Sequence, residues 1–485
     1  MNQVVFHGYP YSGAYDGGTV DGVEWPGFSG FESYRWCNSW GERQPNWMFA
    51  NAYLDFVARN QYVLRQGQPR VDVAVYRHSY YEIIDFWAPD KLFDTTSLEQ
   101  AGYSYDFVAP ATLALDNMVV TDGVLDAKGT AYKALVVNQE DALPSAVVDR
   151  LNEYAEAGLP IVFVGDTATV TSSMEDADIT EGMETLLAHD NVAAVATVDD
   201  VLGALTDAGV APDASYDGQT LLAAHRADDA RDYYFLYNYA GTDKYREIHD
   251  AKAVETTVTL KGEGTPYVLD AWTGEARVAE SWKAVDGGVA VDVELAPNDS
   301  LVVVLSTDEL AAEAEAAKPM EGSVELAGWS LSVESWTPGA TVLDTEKTTI
   351  DLGSIDALKP WNELDEQLAN VSGVGTYTAT FEMPEGFAEG QAAWLHMGHV
   401  KDAYGVKVNG TEVLVDQASG NADVSALVKP GENQIEVTVA SSLLNAVLEN
   451  NKGILNDDGR VLDDRSLSGY GLTEQVTIDG SATRA

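Results

Sequence analysis

The sequence carries a single cysteine, Cys37, in 485 residues. An internal disulfide is thereby excluded, and the redox compartment cannot be read from thiols. Basic side chains are scarce: 28 Lys and Arg stand against 78 Asp and Glu, a formal net charge of −50. No cluster of Lys and Arg occurs anywhere along the chain. A phosphate-binding face needs one, so nucleic acid and anionic membrane surfaces are excluded as partners. No segment approaches ~18 continuous apolar residues, so nothing reads as a membrane-spanning helix. The N-terminus lacks a basic stretch followed by an apolar one, and no signal peptide is present. Localisation therefore stays unknown for a soluble chain. An extracytoplasmic site is open if the true N-terminus lies upstream. Metal-ligand spacings are missing too, and no metal site is expected. His225 and His249 have no partners at ligand spacing, His396 and His399 have no third ligand in view, and Asp457-Asp458-Gly459 lacks the other positions of an EF-hand loop.

What is present is apolar material for a large core, 45% of the residues, in a length that predicts three or four domains. The acidity reads as solubility rather than as fold. The most informative stretch is the first line. Val4-Val5-Phe6-His7-Gly8-Tyr9-Pro10-Tyr11 is an apolar strand breaking into Gly, Pro and aromatics, and about forty residues rich in Trp, Tyr, Gly and carboxylates follow. A buried strand that opens into such a loop forms sites. Flat aromatic faces beside carboxylates suit a sugar, whose C–H faces stack on rings while its hydroxyls need acceptors. We therefore assign substrate binding to His7, Tyr9, Tyr11, Trp25, Trp36 and Trp40, with Glu24 and Glu32 as weak catalytic candidates beside Glu42.

The periodicities divide the chain into multidomain α/β and all-β parts. Residues 1–68 end in a helix whose stripe of Tyr53, Phe56, Val57, Tyr62, Val63 and Leu64 predicts packing. Residues 69–228 alternate strand and helix: strands at 71–76, 105–108, 134–137 and 160–165, with an amphipathic helix over 144–157 closed by Gly158. That rhythm predicts a parallel sheet covered on both faces. Residues 229–307 read as a small antiparallel β domain, in which Val289, Val291, Val293 and Leu295 alternate with polar neighbours. An Ala/Glu linker, partly helical, takes residues 308–320. Residues 321–485 read as a β-sandwich or jelly roll, with strands at 324–336, 375–383, 393–397, 404–414, 433–440 and 474–479 and a hairpin turn at Asn409-Gly410. Within it Trp361, following Pro360 in a loop, is the expected sugar platform, and Trp394, within an apolar strand, is expected in the core.

Asn370-Val371-Ser372-Gly373-Val374-Gly375-Thr376-Tyr377, Leu395-His396-Met397-Gly398-His399, Val406-Lys407-Val408-Asn409-Gly410 and Pro430-Gly431-Glu432-Asn433 resemble the sugar-binding, galactose-binding-like jelly roll of glycoside hydrolase family 2. All of these residues are explained by folding alone. The first 310 residues resemble the back half of glycoside hydrolase family 106, the α-L-rhamnosidases. The resemblance rests on Phe6-His7-Gly8-Tyr9, Trp25-Pro26-Gly27, Leu64-Arg65-Gln66-Gly67, residues 71–76, Gly102-Tyr103-Ser104-Tyr105-Asp106, Tyr237-Asn238 and Leu269-Asp270-Ala271-Trp272-Thr273-Gly274.

The resemblance implies that residues 1–68 are the last part of a truncated (β/α)8 catalytic barrel and that residues 69–228 are an amidotransferase-like scaffold. It implies an inverting hydrolase with calcium at the sugar. Inversion needs two carboxyl groups about 6.5–9.5 Å apart, and neither catalytic glutamate of that family falls on a matching motif here. His7 would then point into the barrel mouth and bind a sugar hydroxyl. Cys37 lies outside the amidotransferase-like sheet, and no Gly-x-Ser-x-Gly occurs within it, so that domain carries no nucleophile. The expectation is a partial glycoside hydrolase of α-L-rhamnosidase type, inactive alone, acting on rhamnose-containing glycans. A separate polypeptide carrying the rest of the barrel would be its partner. The alternative is a non-catalytic carbohydrate-binding or scaffolding chain.

Overall fold

The computed structural model describes residues 3–6, 14–15, 18–19, 25–26, 41–78, 97–138, 143–167, 172, 177–217, 221–238, 252–311, 317–341, 343–450 and 467–481. The chain divides into two compact units: one combines Gln3–Arg59 with Glu315–Ala485, and the other is Asn60–Ala314.

In the Asn60–Ala314 unit, strands at residues 73–76, 105–108, 134–138, 161–164 and 192–195 form one parallel sheet, its three central strands fully buried. Its strand order is Val192–Val195, Ile161–Val164, Ala134–Asn138, Val73–Tyr76, Tyr105–Val108. Successive strand side chains point to opposite faces, and the core divides accordingly. Ala74, Tyr76, Leu135, Val137, Ile161 and Phe163 pack with the helices Ser145–Glu156 and Thr180–Leu187. Val73, Val75, Ala134, Val136, Val162 and Val164 pack with Leu98, Val201 and Leu205 on the other face. Continuous apolar runs are what a sheet buried on both sides requires. The predicted helix ends at Glu156, and Gly158 follows at a φ of +88°.

The antiparallel part starts earlier than residue 229. Leu221–Ala227 is already a hairpin strand, in register with Arg231–Asn238. Gln68–Arg70, for which the sequence predicts no strand, pairs with Leu221–Ala227 as the edge of a six-stranded antiparallel sheet. A four-stranded sheet built on Val254–Lys261 and Gly288–Leu295 faces it through Leu221, Tyr234, Leu236, Val258, Leu260, Val291 and Val303.

The other unit holds a sandwich of a six-stranded and a four-stranded antiparallel sheet with one large core. Asn409 and Gly410 turn the predicted hairpin at φ of +50° and +81°, the left-handed pair such a turn demands. The run expected over 324–336 is two strands, Ser323–Glu325 and Ser330–Pro338, with Gly328 at positive φ between them. The long outer strand Thr345–Ser354 escaped the sequence reading because its residues are mostly polar and exposed.

Two N-terminal expectations are corrected. Residues 3–6 form no strand, and Val5 and Phe6 are exposed. The helix forms over Ala50–Val63, but its stripe is packed only towards its end: Tyr53 and Tyr62 are exposed, Phe56 and Val57 are half-buried, and Val63 and Leu64 are the members that pack. Among the described residues no closed barrel forms. The N-terminal segment is organised within its unit by contacts with the sandwich. Gln44 Oε1 accepts from the Leu443 amide at 2.9 Å, and the Phe49 ring sits where a Cβ on Gly405 would be. The centre of the linker lies outside the described residues. The flanking positions 307–311 and 317–320 carry no helix.

Candidate functional site

His7, Tyr9, Tyr11, Glu24, Glu32, Trp36 and Trp40, together with Cys37, His249 and Asp457-Asp458-Gly459, lie outside the described residues. Two of the proposed aromatic contacts are described, and both are corrected. Trp25 is 2% exposed; it packs with Trp336, Leu443, Ala446 and Val447, and its indole N–H donates to Thr345 Oγ1 at 3.1 Å. Trp361 is 1% exposed. Its N–H donates to Tyr377 Oη at 2.8 Å, its ring meets Tyr470 edge-on at 6.0 Å, and Gly375 has room for no side chain because that ring lies against it. A tryptophan held this way is core and offers no face to a sugar. Trp394, expected in the core, is half-buried. Trp361, expected in a loop, instead opens the short helix Trp361–Leu364 with Pro360 before it, and its ring turns inward.

An open cleft of about 440 Å3 lies in the Gln3–Arg59/Glu315–Ala485 unit. Its floor is dictated by strand register. In Ser330–Pro338, Leu331 and Val333 point into the core, so Ser332, Glu334 and Trp336 occupy the opposite face. Register then sets Trp336 beside Lys347, Glu334 beside Thr349 and Val374, and Ser332 beside Thr376. One lip is the Pro45–Phe49 helical turn with its approach, which contributes Glu42, Gln44, Trp47 and Met48. Lys347 Nζ sits 3.8 Å from the Trp336 ring centroid and 3.3 Å from Glu334 Oε1, and that oxygen also accepts from the Trp336 N–H at 2.9 Å. The floor thus joins a cation, a carboxylate and an aromatic ring, with the Lys347 and Glu334 side chains 47% and 43% exposed. Glu42 was singled out from the sequence, whereas Glu334, Trp336 and Lys347 were missed. The available signal was a tryptophan on the polar, outward register of an alternating strand.

A second polar group lies in the other unit. Lys133 Nζ donates at 2.6 Å to Asp72 Oδ1, to Asp213 Oδ1 and to the Ala211 carbonyl. Asp72 also accepts from the amides of Ser104 and Asp213. His225 is buried between Asp213 Oδ2 at Nδ1 and Asp232 Oδ1 at Nε2, both 2.9 Å away, and stacks on Tyr234 at 4.2 Å. Burial alone would lower the His225 pKa, but the bonds to Asp213 and Asp232 outweigh it and raise it. Burial would likewise raise Asp213, yet the His225 bond and the Lys133 charge hold it well below the usual carboxylate range. With both ring nitrogens and both carboxylates committed, this group exchanges no proton with a substrate and acts as an internal clamp.

His396 is also structural, buried between Asn421 Oδ1 at 2.7 Å and Asp479 Oδ1 at 3.1 Å, while His399 Nδ1 meets Thr473 Oγ1. Among the described residues no group of three or more His, Cys, Asp or Glu is placed to hold a metal. No helix of the described residues is long and apolar enough to cross a membrane.

Comparison with known proteins gives two family matches. Residues 26–256 match the family model for alpha-L-rhamnosidase of glycoside hydrolase family 106, and residues 359–470 match that for the sugar binding domain of glycosyl hydrolases family 2. The resemblance to both families read from the sequence is thus shown. The structure is similar to that of a rhamnosidase from Novosphingobium sp. PP1Y, with a TM-score of 0.66 at 20% identity, covering 91% of this chain and 42% of that one. A protein of Formosa agariphila named "Putative beta-glucuronidase" is 24% identical over 266 residues, 53% of this chain and 21% of that protein. The chain thus spans less than half the length of either relative. Its family matches are to glycoside hydrolases, and its fold is similar to that of a rhamnosidase.

Proposed function

We propose that the chain is part of a glycoside hydrolase of α-L-rhamnosidase type acting on rhamnose-containing glycans, and that the described residues are its accessory rather than its catalytic portion. The observation that carries this reading is the match of residues 26–256 to the alpha-L-rhamnosidase family. The rhamnosidase-like fold over nearly the whole chain agrees with it. Glycoside hydrolysis needs a general acid and a second carboxylate on either side of the scissile bond. In the cleft, Glu334 is committed to Trp336 and Lys347, which leaves Glu42 without a partner for that chemistry. The chain alone is therefore expected to turn over little substrate. The remaining barrel, on the same or a separate polypeptide, supplies the acid and base, and His7, Tyr9 and Tyr11 contribute hydroxyl contacts at its mouth.

The test is release of p-nitrophenol from the aryl α-L-rhamnoside, with aryl β-glucuronide and α-L-fucoside run in parallel, first by this chain and then by the longest product of its reading frame. Rhamnoside turnover by the longer product alone supports the reading. Preferential turnover of the glucuronide overturns the substrate class, and fast rhamnoside turnover by this chain overturns the accessory role. The second reading, a non-catalytic carbohydrate-binding chain, is favoured by the tied-down Glu334. It predicts no turnover by either polypeptide.

A further inference from the structure

The cleft on the outer face of the six-stranded sheet has no part in the reaction proposed above, yet it has the size of a ligand site. Its volume of about 440 Å3 lies inside the ~300–1,000 Å3 of small-molecule sites. The outer face of a sandwich sheet is ordinarily polar and solvated. Here it carries Trp336, a buried ring packed with Trp25 and Leu443 and overlaid by Lys347, while a second tryptophan and a methionine, Trp47 and Met48, stand on the lip.

Charge decides which ligand the cleft suits. Glu42 and Glu334 against Lys347 leave one net negative charge at the lining, in a chain of net charge −50. An anion, including a uronate, meets repulsion there. A cation is opposed differently. The Trp336 face that would attract it already holds Lys347 at 3.8 Å, and a second cation would sit beside the first. What remains is a neutral polyhydroxyl ring. Its C–H face would lie against Trp47 and Met48, and its hydroxyls would find acceptors in Glu42 and Glu334 and two-way partners in Gln44, Ser332, Thr349 and Thr376.

From this geometry we infer that the cleft binds a neutral pyranose unit of a glycan without hydrolysing it, as a second, non-catalytic sugar site. The saccharide class rests on the charge and the aromatics of the cleft. The choice of rhamnose as the first sugar tested rests on the function proposed above. Strand register fixes which floor residues face the cleft, and the aromatic and acidic lip is where the affinity is tested.

The test is a calorimetric titration of the full chain with methyl α-L-rhamnoside, methyl β-D-galactoside, galacturonate and choline. It is repeated with Trp47→Ala, with Glu42→Gln, and with Trp282→Ala in the other unit as control. Saturable binding of a neutral glycoside is expected, weakened at least about fivefold by Trp47→Ala and by Glu42→Gln and unchanged by Trp282→Ala. Melting curves matching the parent establish that the variants fold, and Glu42→Gln keeps the test decisive if Trp47→Ala does not. Absence of any neutral-sugar binding overturns the inference, as does equal affinity for galacturonate or choline, or neutral-sugar binding indifferent to both lip variants. Binding of galactoside but not rhamnoside leaves the site standing and counts against rhamnose as its sugar. Rhamnoside hydrolysis by the longer product with no binding at the cleft leaves the proposed function standing and removes the site.

Discussion

Replacing Lys133 by alanine tests the buried clamp most directly. The ammonium is the only cation facing Asp72 among the described ion pairs, and it also neutralises Asp213. Its side chain is 18% exposed, and those of Asp72 and Asp213 are 2% and 6% exposed. Without it, Asp213 keeps His225 and Lys261. Asp72 keeps only neutral donors, the Ser104 amide and hydroxyl and the Asp213 amide. Breaking a buried pair costs ~3–5 kcal/mol because a charge is left unpaired. The surviving partners of Asp213 place this case near the lower bound, about 3 kcal/mol. Urea unfolding, read by hydrogen exchange in peptides covering residues 68–76, 130–138 and 210–236, gives the loss for this unit alone. The double variant Lys133→Met/Asp72→Asn removes both charges and should recover part of the loss. A loss below about 1 kcal/mol, the value of an exposed ion pair, refutes the argument that the pair is buried and the charge stranded.

The same clamp gives stability a pH window. His225 titrates above its ordinary 6.5, so its contribution is complete below that pH and fades as pH rises through the folded value. Asp213 titrates below its ordinary 3.8, so its share is complete above that pH and is lost as acid protonates it. Maximal stability of this unit is expected between these limits, and His225→Gln should flatten the alkaline limb in urea titrations across pH 5 to 9. Trp361→Ala should cost about 3–5 kcal/mol through loss of core packing, read by thermal unfolding, and should leave sugar titrations of the remaining folded protein unchanged. Gly102→Ala puts a Cβ 1.8 Å from the Ala214 carbonyl oxygen at a φ of +94°. Denaturant titration should therefore show a loss where a compatible glycine would gain ~0.4–1 kcal/mol. Val5, Phe6, Met48, Tyr53 and Leu54 are exposed in one unit, with Phe6 and Tyr53 in edge contact. Light scattering should show self-association that Phe6→Ser/Met48→Ser reduces.

The sequence by itself determined whatever depends on a repeat of two or 3.6 residues. The parallel strands 105–108 and 161–164, the helix closed before Gly158 and the Asn409-Gly410 hairpin stand where local pattern placed them. Each of these is set by neighbours a few residues apart. The sequence motifs also carried the family resemblance that the comparisons show. Tertiary structure decided the rest. A tryptophan after a proline in a loop looks the same from sequence whether it turns outward or inward. Trp361 turns inward because Gly375 and Gly471, each lacking a Cβ, leave room for its ring beside Tyr377 and Tyr470. Trp25 looked like a sugar contact until the fold brought it to Thr345, 320 residues away. Asp72, Lys133, Asp213 and His225 carry no shared spacing, yet 141 residues of chain close to bring the Asp213 amide onto Asp72. The cleft arises the same way, from three strands in register under a lip that comes from the other end of the sequence. Which side chains share a site is fixed by contacts far apart in the chain, and short-range periodicity holds no record of them.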